Sequence, residues 1–406
     1  LRDFAPYYTD KYKTPWGEAL NYDGPYSDGV RNFFIENARH WFLNYHVDGL
    51  RLDAVHAILD TSARPFLREL ALDIAQMSAN LGRKYYLIAE SDLNDPRLIQ
   101  PFEKGGYGLD AQWTDDFHHA LHVLLTGEKD GYYEDFGGTA ALAKSLRDAY
   151  VYTGQYSVHR KRQFGDSTEG LASHQFIICT QNHDQVGNRM LGERLSTLVS
   201  FEAQKLAAGA LLLSPFVPML FMGEEYGEEN PFLYFVSHSD TDLVAAVREG
   251  RKAEFAAFTW LQEPPDPQSE ETFLRSRLDW QKRTQAHHAT LLKFYSQLIE
   301  LRRKYEFSRD GDQSQNEVHS PVPGLVYVHR SSDVGEVVLL MNFKSEAMNW
   351  ETQLPGSSWR KIIDSAETVW NGPGSDLPER LSLSHQLNLA PQSFVMYEKS
   401  RLQNSL

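Results

Sequence analysis

The chain has 406 residues, enough for more than one domain, because single cores seldom grow beyond about 250–300 residues. Its formal net charge of −15 argues against nucleic acid and anionic membrane surfaces as partners, since both would repel it. No stretch approaches the ~20 apolar residues of a membrane span, and one cysteine, Cys179, leaves no intrachain disulfide.

Cys179 sits inside an apolar run and reads as an inert core thiol, in keeping with a reducing, cytoplasmic compartment. Aromatic residues make up 12 % of the chain, and many lie in polar loops, where they suit the apolar faces of sugar rings or anchor their own loops. The chain opens on Leu1, and residues 1–26 read as a Tyr/Pro/Gly-rich loop with no strand before them. The expectation is a fragment of a longer protein.

A helix is predicted from Ser27, as its cap, to about Tyr45, with Val30, Phe34, Ala38, Trp41 and Phe42 at helical spacing. A strand over Gly49 to Asp53 follows. A second helix runs from about Ala63 to Leu81, carrying Phe66, Leu67, Leu70, Ala71, Ile74 and Met77 on one face, with Pro65 near its first turn. Then come a strand at Tyr85 to Glu90 and a weaker one at Leu109 to Trp113. A helix near Leu142 to Asp148 leads through a long polar connection to a strand at Phe176 to Thr180. A helix from Ser200 to about Leu213 and a strand at Val217 to Met222 complete the alternation.

Alternating strands and helices imply a parallel sheet with right-handed crossovers. Polar residues follow every strand, as at a barrel mouth, whereas an open doubly wound sheet gathers its site at one switch point. The fold expected is therefore a (β/α)8 barrel of which about the last five strands are present, spanning residues 1–305 with an irregular stretch at 223–285 and a last helix at about His287 to Lys304. A polar linker is expected at 306–316. Beyond it LVYVHR, EVVLLMNF, WRKIID and SFVMYEK mark a small antiparallel β-sandwich domain, residues 317–406.

Three apolar runs end in acids: DGLRLDAVH with Asp53, YYLIAES with Glu90 and FIICTQNHDQVGN with Asp184. Side chains alternate along a strand, so Arg51 and Asp53 share a face, and the guanidinium is expected to hold Asp53 ionised. Leu87, Ile88 and Ala89 before Glu90 suggest an apolar setting that favours its protonated form. An ionised carboxylate beside a neutral carboxylic acid is the division of labour of a retaining glycosidase. His183 and Asp184 are suited to sugar hydroxyls and a cationic transition state. Taken singly, each acid has a plainer explanation: an Arg51–Asp53 ion pair, a Glu90 next to a helix cap, an Asp184 in a turn. WTDDFHH, Trp113 to His119, has the residue types of a metal site but no EF-hand or zinc spacing, so sugar hydrogen bonding is preferred and no metal or cofactor is expected. GEEYGEENPF, Gly223 to Phe232, reads as a groove wall or a solvated acidic loop.

DGLRLDAVHAI, LIAESDLNDPR, DAQWTDDFHHALH, QNHDQVGNR and FMGEEYGEENPF together resemble the maltooligosyltrehalose trehalohydrolase family of the α-amylase superfamily. DGLRLDAVH and QNHDQ are shared across the superfamily; ESDLNDPR, DDFHH and GEEYGEENPF are more particular. The likeness runs from KYKTPWG at residues 11–17 through the last barrel helix and more loosely beyond. It implies Asp53 as nucleophile, Glu90 as proton donor and Asp184 as transition-state stabiliser. It implies substrate contacts from Arg51, His56, Asp115, Asp116, Phe117, His118, His119, His183, Gln185 and Asn188. It also implies a substrate, maltooligosyltrehalose, made by a synthase. The family's N-terminal β-sandwich and first three barrel strands have no counterpart in this sequence. Alternatives are another enzyme of the superfamily, an α-amylase or a branching or debranching enzyme, or a non-catalytic carbohydrate-binding fragment.

Overall fold

The structure is a computed structural model and describes residues 1–255, 264–305, 307, 317–354, 358–382 and 384–399. Within residues 1–26, expected to be loop, β1 (Tyr8–Thr14) pairs antiparallel with β2 (Gly17–Leu20). Both strands are mostly exposed, so no apolar alternation marks them in the sequence. Helix α1 (Ser27–Asn44) starts at Ser27 itself; the residue before it, Tyr26, is left-handed, so Ser27 is the first helical residue and not the cap. Its inner face is Val30, Ile35, Ala38 and Phe42, while Trp41 is exposed.

β3 (Gly49–Leu52), α2 (Phe66–Leu81), β4 (Tyr86–Ala89) and β5 (Ala111–Trp113) follow. All six apolar residues expected on the inner face of α2 are buried, and Pro65 stands just before the first turn in extended conformation. Helices α3 (Asp116–Thr126) and α4 (Gly138–Asp148) come next. The polar connection beyond α4 holds a second hairpin, β6 (Thr153–Ser157) and β7 (Arg162–Gly165). Then come β8 (Phe176–Ile178), α5 (His183–Gly187), α6 (Leu195–Leu198), α7 (Phe201–Leu212) and β9 (Val217–Pro218), the last much shorter than expected. The stretch expected to be irregular contains α8 (Thr241–Phe255) and α9 (Glu270–Arg275) before α10 (Ala286–Tyr305).

The five core strands form one parallel sheet in chain order, β3-β4-β5-β8-β9. Register aligns their C-terminal ends: Leu52 opposes Ala89, Ala89 opposes Gln112, Trp113 opposes Ile177 and Ile178 opposes Pro218. Chemistry placed just past any of these strands therefore emerges on one rim. Among the described residues β3 and β9 are each paired on one side only.

The expected linker at 306–316 lies outside the described residues except for Phe307. The C-terminal part has strands β10 (Glu317–His319), β11 (Leu325–Ser332), β12 (Gly335–Asn342), β13 (Met348–Gln353), β14 (Trp359–Asp364), β15 (Arg380–Leu381), β16 (Ser384–Leu389) and β17 (Ser393–Lys399). They form an antiparallel six-stranded sheet, β10-β11-β12-β17-β14-β15, and a two-stranded one, β13-β16. One face of the larger sheet (Leu325, Tyr327, Val338, Leu340) packs with Met348, Leu387 and Leu389 of the smaller. The opposite face (Val326, Val328, Leu339, Met341) joins the core that includes α7 and α10. Burial on both faces is why LVYVHR and VVLLM read as unbroken apolar runs.

Helix α7 and β17 come close: a Cβ on Gly209 would run into the Phe394 ring. Lys205, fully buried on the same helix, donates to the carbonyls of Ser365 (2.6 Å) and Trp370 (3.0 Å) and pairs with Glu202 (2.9 Å). Lys205→Met keeps the bulk but strands two buried carbonyls and a carboxylate, and is expected to cost about 2–4 kcal/mol. Thermal unfolding measures it; an unchanged Tm would show that the lysine contributes nothing to holding the two parts together.

Candidate active site

The rim above the parallel sheet is organised around one guanidinium. Arg51 pairs with Asp53 two residues along its own strand, as alternation requires. It also reaches across the gap between strands, placing Nη2 3.6 Å from Glu90 Oε2 and 3.7 Å from Asp184 Oδ2. Three carboxylates from three strand ends thus meet one cation. Underneath, the Arg51 guanidinium lies 4.4 Å from the centroid of the Trp113 ring, which floors the cluster and holds the fork in place.

Asp53 and Glu90 occupy matching positions just past adjacent strands. The ladder continues beyond them, with Glu90 N–H donating to Leu52 O and Val55 N–H donating to Glu90 O, each at 3.0 Å. Between these bonds the chain turns sharply at Ala54, a non-glycine residue in left-handed conformation at φ 43°. That conformation costs about 1–2 kcal/mol. It aims the Ala54 N–H at Glu90 Oε2, 2.6 Å away. The apolar setting expected for Glu90 is therefore corrected: its carboxylate faces a backbone donor and a guanidinium, because Arg51 crosses from the neighbouring strand. Exposure grades across the cluster, with side-chain values of 19 % for Glu90, 49 % for Asp184 and 80 % for Asp53. The open side is at Asp53.

Asp115 is pushed up to about 7, chiefly through burial and then through the charges of Glu90, Asp116, Asp92 and Asp184, and burial also raises Asp116 and, to about 7, Glu224. The folded chain holds the Asp115 proton more tightly than the unfolded chain, where the ordinary value of 3.8 applies. Asp115 hence contributes stability in full below about pH 4, and loses it as pH climbs through about 7. Wild type should lose about 2–3 kcal/mol of stability relative to Asp115→Asn between pH 5 and 8. Denaturant titrations of both proteins measure this; parallel curves would place the carboxyl elsewhere.

The other expected contacts divide. His183 is exposed, its Nε2 3.3 Å from Asp184 Oδ1 and its ring edge-on to Trp113 at 6.1 Å. Asn182 caps α5 through Gln185 N–H (2.8 Å), which sets His183 and Asp184 in the first turn. The Gln185 side chain reaches Asp115 Oδ1 at 3.4 Å. Asn188 is exposed at the end of α5. His56 stands on the same rim, 3.9 Å from Asp92 and beside the exposed ring of Trp16.

The DDFHH segment is mostly structural, which corrects the expectation that all of it lines a groove. Asp116 is buried and accepts from Asn94 Nδ2 (2.8 Å), Val151 N–H (2.6 Å) and Tyr152 N–H (3.2 Å). Phe117 is wholly in the core. His118 is buried with one ring nitrogen 2.7 Å from Thr180 O and the other 3.0 Å from the Tyr133 hydroxyl. His119 packs against Tyr132, Tyr133 and Phe136, and burial holds its imidazole down at about 3. The segment begins α3, and a helix turning down from the rim carries its side chains into the protein. In GEEYGEENPF, Glu224 and Glu228 are buried anchors, neither groove wall nor solvated charge. Glu224 accepts from Thr180 Oγ1 and Phe221 N–H, and Glu228 from Asn230 and Asp279 N–H.

Sequence reasoning missed Trp113 as the support of Arg51, and missed Asp92 and Arg160. Arg160, in the turn of the β6–β7 hairpin, donates to Asp92 at 3.0 Å. Asp92 was within reach, since it follows Glu90 by the same two-residue step that links Arg51 to Asp53. Arg160 carries no comparable signal.

No protein-family model matches the chain. It is 49 % identical over 303 residues to the malto-oligosyltrehalose trehalohydrolase of Saccharolobus solfataricus, covering 74 % of this chain and 51 % of that protein. It is 48 % identical over 308 residues to the enzyme of that name from Arthrobacter ramosus, covering 75 % and 53 %. The Deinococcus radiodurans protein of the same name is 38 % identical over 370 residues, covering 89 % and 59 %. Over about three quarters or more of its length the chain is thus similar to malto-oligosyltrehalose trehalohydrolases. It spans about half the length of the curated relatives it matches. Among solved structures, one from Salmonella typhimurium, provisionally assigned as an alpha amylase, matches with TM-score 0.83 and 34 % identity, over 97 % of this chain and 64 % of that one. The alpha-amylase of Geobacillus thermoleovorans, solved with acarbose, matches with TM-score 0.60 and 16 % identity, over 98 % and 72 %, a likeness of fold alone. The likeness to these solved structures agrees with the parallel α/β part and the antiparallel β part described above.

Proposed function

We propose that the chain carries the catalytic centre of a retaining glycoside hydrolase. It cleaves the α-1,4 bond between a maltooligosaccharide and its terminal trehalose unit, releasing trehalose. The observation that carries this reading is the single guanidinium shared by Asp53, Glu90 and Asp184. Adjacent parallel strands run about 4.8 Å apart, so two carboxyls past matching positions fall in the 5–5.5 Å class of retaining enzymes more readily than in the wider inverting class.

In this mechanism Asp53, on the open side, attacks the anomeric carbon while Glu90 gives its proton to the departing glycosidic oxygen. The C1–O bond breaks and a glycosyl ester on Asp53 forms. Glu90, now a carboxylate, takes a proton from water, whose oxygen attacks C1 and frees Asp53. Asp184, with His183, meets the charge that develops on the ring. Trp16, exposed beside His56, offers aromatic surface to a sugar.

No organic cofactor is required, because carboxyl groups move every proton. We place the five strands within an eight-stranded barrel, on the likeness to α-amylase structures and the two one-sided edge strands. No helix among the described residues is long and apolar enough to cross a membrane. The buried free Cys179 suits a cytoplasmic setting.

The test is product analysis with maltooligosyltrehalose, on the 406-residue chain and on a longer polypeptide containing it. Free trehalose as the first product is expected. Maltose, or transfer of a branch, would give the site to another member of the superfamily; calorimetric binding with no cleavage by the longer protein would make it a binding module.

A further inference from the structure

In the loop after β9, Glu229 has no part in the fold or in the acids of the rim, yet its neighbours are firmly anchored. Glu228 accepts from Asn230 and Asp279 N–H, and the Tyr226 carbonyl accepts from His288 Nδ1 at 2.8 Å. At Gly227 the loop presses on the helices, since a Cβ there would lie 3.1 Å from Gln204 Oε1 on α7 and 3.2 Å from Leu291 Cδ2 on α10. The loop is thereby held against the first turn of α10, which carries His287 and His288. One metal-ligating atom from each of Glu229, His287 and His288 lies within 4.8 Å of the other two.

A carbonyl only accepts, so the bond to Tyr226 puts the proton of the neutral, buried His288 on Nδ1 and leaves Nε2 its lone pair. A backbone carbonyl holding the far nitrogen in this way is how metal-binding histidines are commonly oriented. His287, with its ring centroid 4.1 Å from that of His288, and Glu229 are both exposed and free to turn. A tetrahedral ion with bonds of about 2.0–2.1 Å needs its ligand atoms roughly 3.4 Å apart, a closure that two surface side chains can make around a fixed third. Lys282 Nζ lies 3.1 Å from Glu229 Oε2 and 3.2 Å from Glu228 Oε1, so Glu229 Oε1 remains for an ion while Oε2 stays with the lysine. Lys282 and the positive end of the α10 dipole both oppose a cation, and this decides its class. Calcium and magnesium, held by oxygen and charge, are disfavoured, whereas zinc bonds to imidazole nitrogen.

We infer that Glu229, His287 and His288 form a binding site for a divalent zinc ion, with water as fourth ligand, and that the ion clamps the loop after β9 to the start of α10. Because the ligands come from two segments that unfolding separates, the ion stabilises the folded chain by mass action. None of the rim acids takes part, so the site is independent of the hydrolase reading.

The test uses the 406-residue chain, freed of any polyhistidine tag and stripped of metal with EDTA, titrated with Zn²⁺ by calorimetry and followed by thermal unfolding. Saturable Zn²⁺ binding, a Tm that rises with Zn²⁺ concentration, and at least about tenfold weaker binding in both His287→Ala and Glu229→Gln are expected. Both replaced side chains are exposed, so the metal-free variants should unfold at the wild-type Tm. Ca²⁺ binding as tight as that of Zn²⁺, no saturable Zn²⁺ binding, or undiminished affinity in either variant overturns the site. Should one variant fail to fold, the other decides: weakened Zn²⁺ binding supports the proposal, and undiminished binding overturns it.

Discussion

Replacing Asp53 with asparagine is expected to lower kcat for trehalose release by about 10⁴-fold or more, since no covalent intermediate can form. Asparagine is isosteric and still accepts a hydrogen bond from Arg51, so the fold and the position of the guanidinium should persist. The informative companion is Asp53→Ala with added azide. If Asp53 attacks the anomeric carbon, azide enters the space left by the carboxylate and a glycosyl azide of inverted configuration accumulates. Turnover of Asp53→Asn within tenfold of wild type, or rescue without inversion, would remove the nucleophile role and leave Asp53 as the partner of Arg51 alone.

Glu90→Gln carries the second large effect, and its signature is selectivity among leaving groups. A general acid contributes about 10²–10⁴-fold when the departing alcohol needs a proton. The loss for the natural linkage should lie in that range, while maltosyl fluoride, whose leaving group needs no proton, should form the glycosyl-enzyme at a near wild-type rate. Equal losses on both substrates would show that Glu90 acts by positioning Arg51 and the Ala54 turn, not by giving a proton. Its contacts make that alternative concrete: Ala54 N–H at 2.6 Å and Arg51 Nη2 at 3.6 Å.

How legible the site was depends on the kind of information each residue carries. The three acids could be found because each closes an apolar strand-like run, and parallel register places such ends on one rim. The electrostatic roles were less legible. The neighbours of Glu90 in the chain are apolar, but its neighbours in space are a backbone N–H and a guanidinium from the next strand. DDFHH failed for a related reason: the change from strand to helix at Asp116 turns Phe117 and His118 inward, and four polar letters around one phenylalanine do not announce which way a helix will face. The opening hairpin and helix α8 were missed because they lie at the surface, where burial imposes no apolar period.

By itself, the sequence determined the alternation of strands and helices, the antiparallel strands of the C-terminal part, and the three acids that end apolar runs. Those depend on local period and on residue type, both of which are written along the chain. Only the tertiary structure decided that one arginine serves three acids, that Trp113 supports it, and that burial pushes the Asp115 carboxyl up to about 7. Charge–charge energies and burial depend on distance and on solvent exclusion between residues far apart in the chain, and neither exists until the chain has folded.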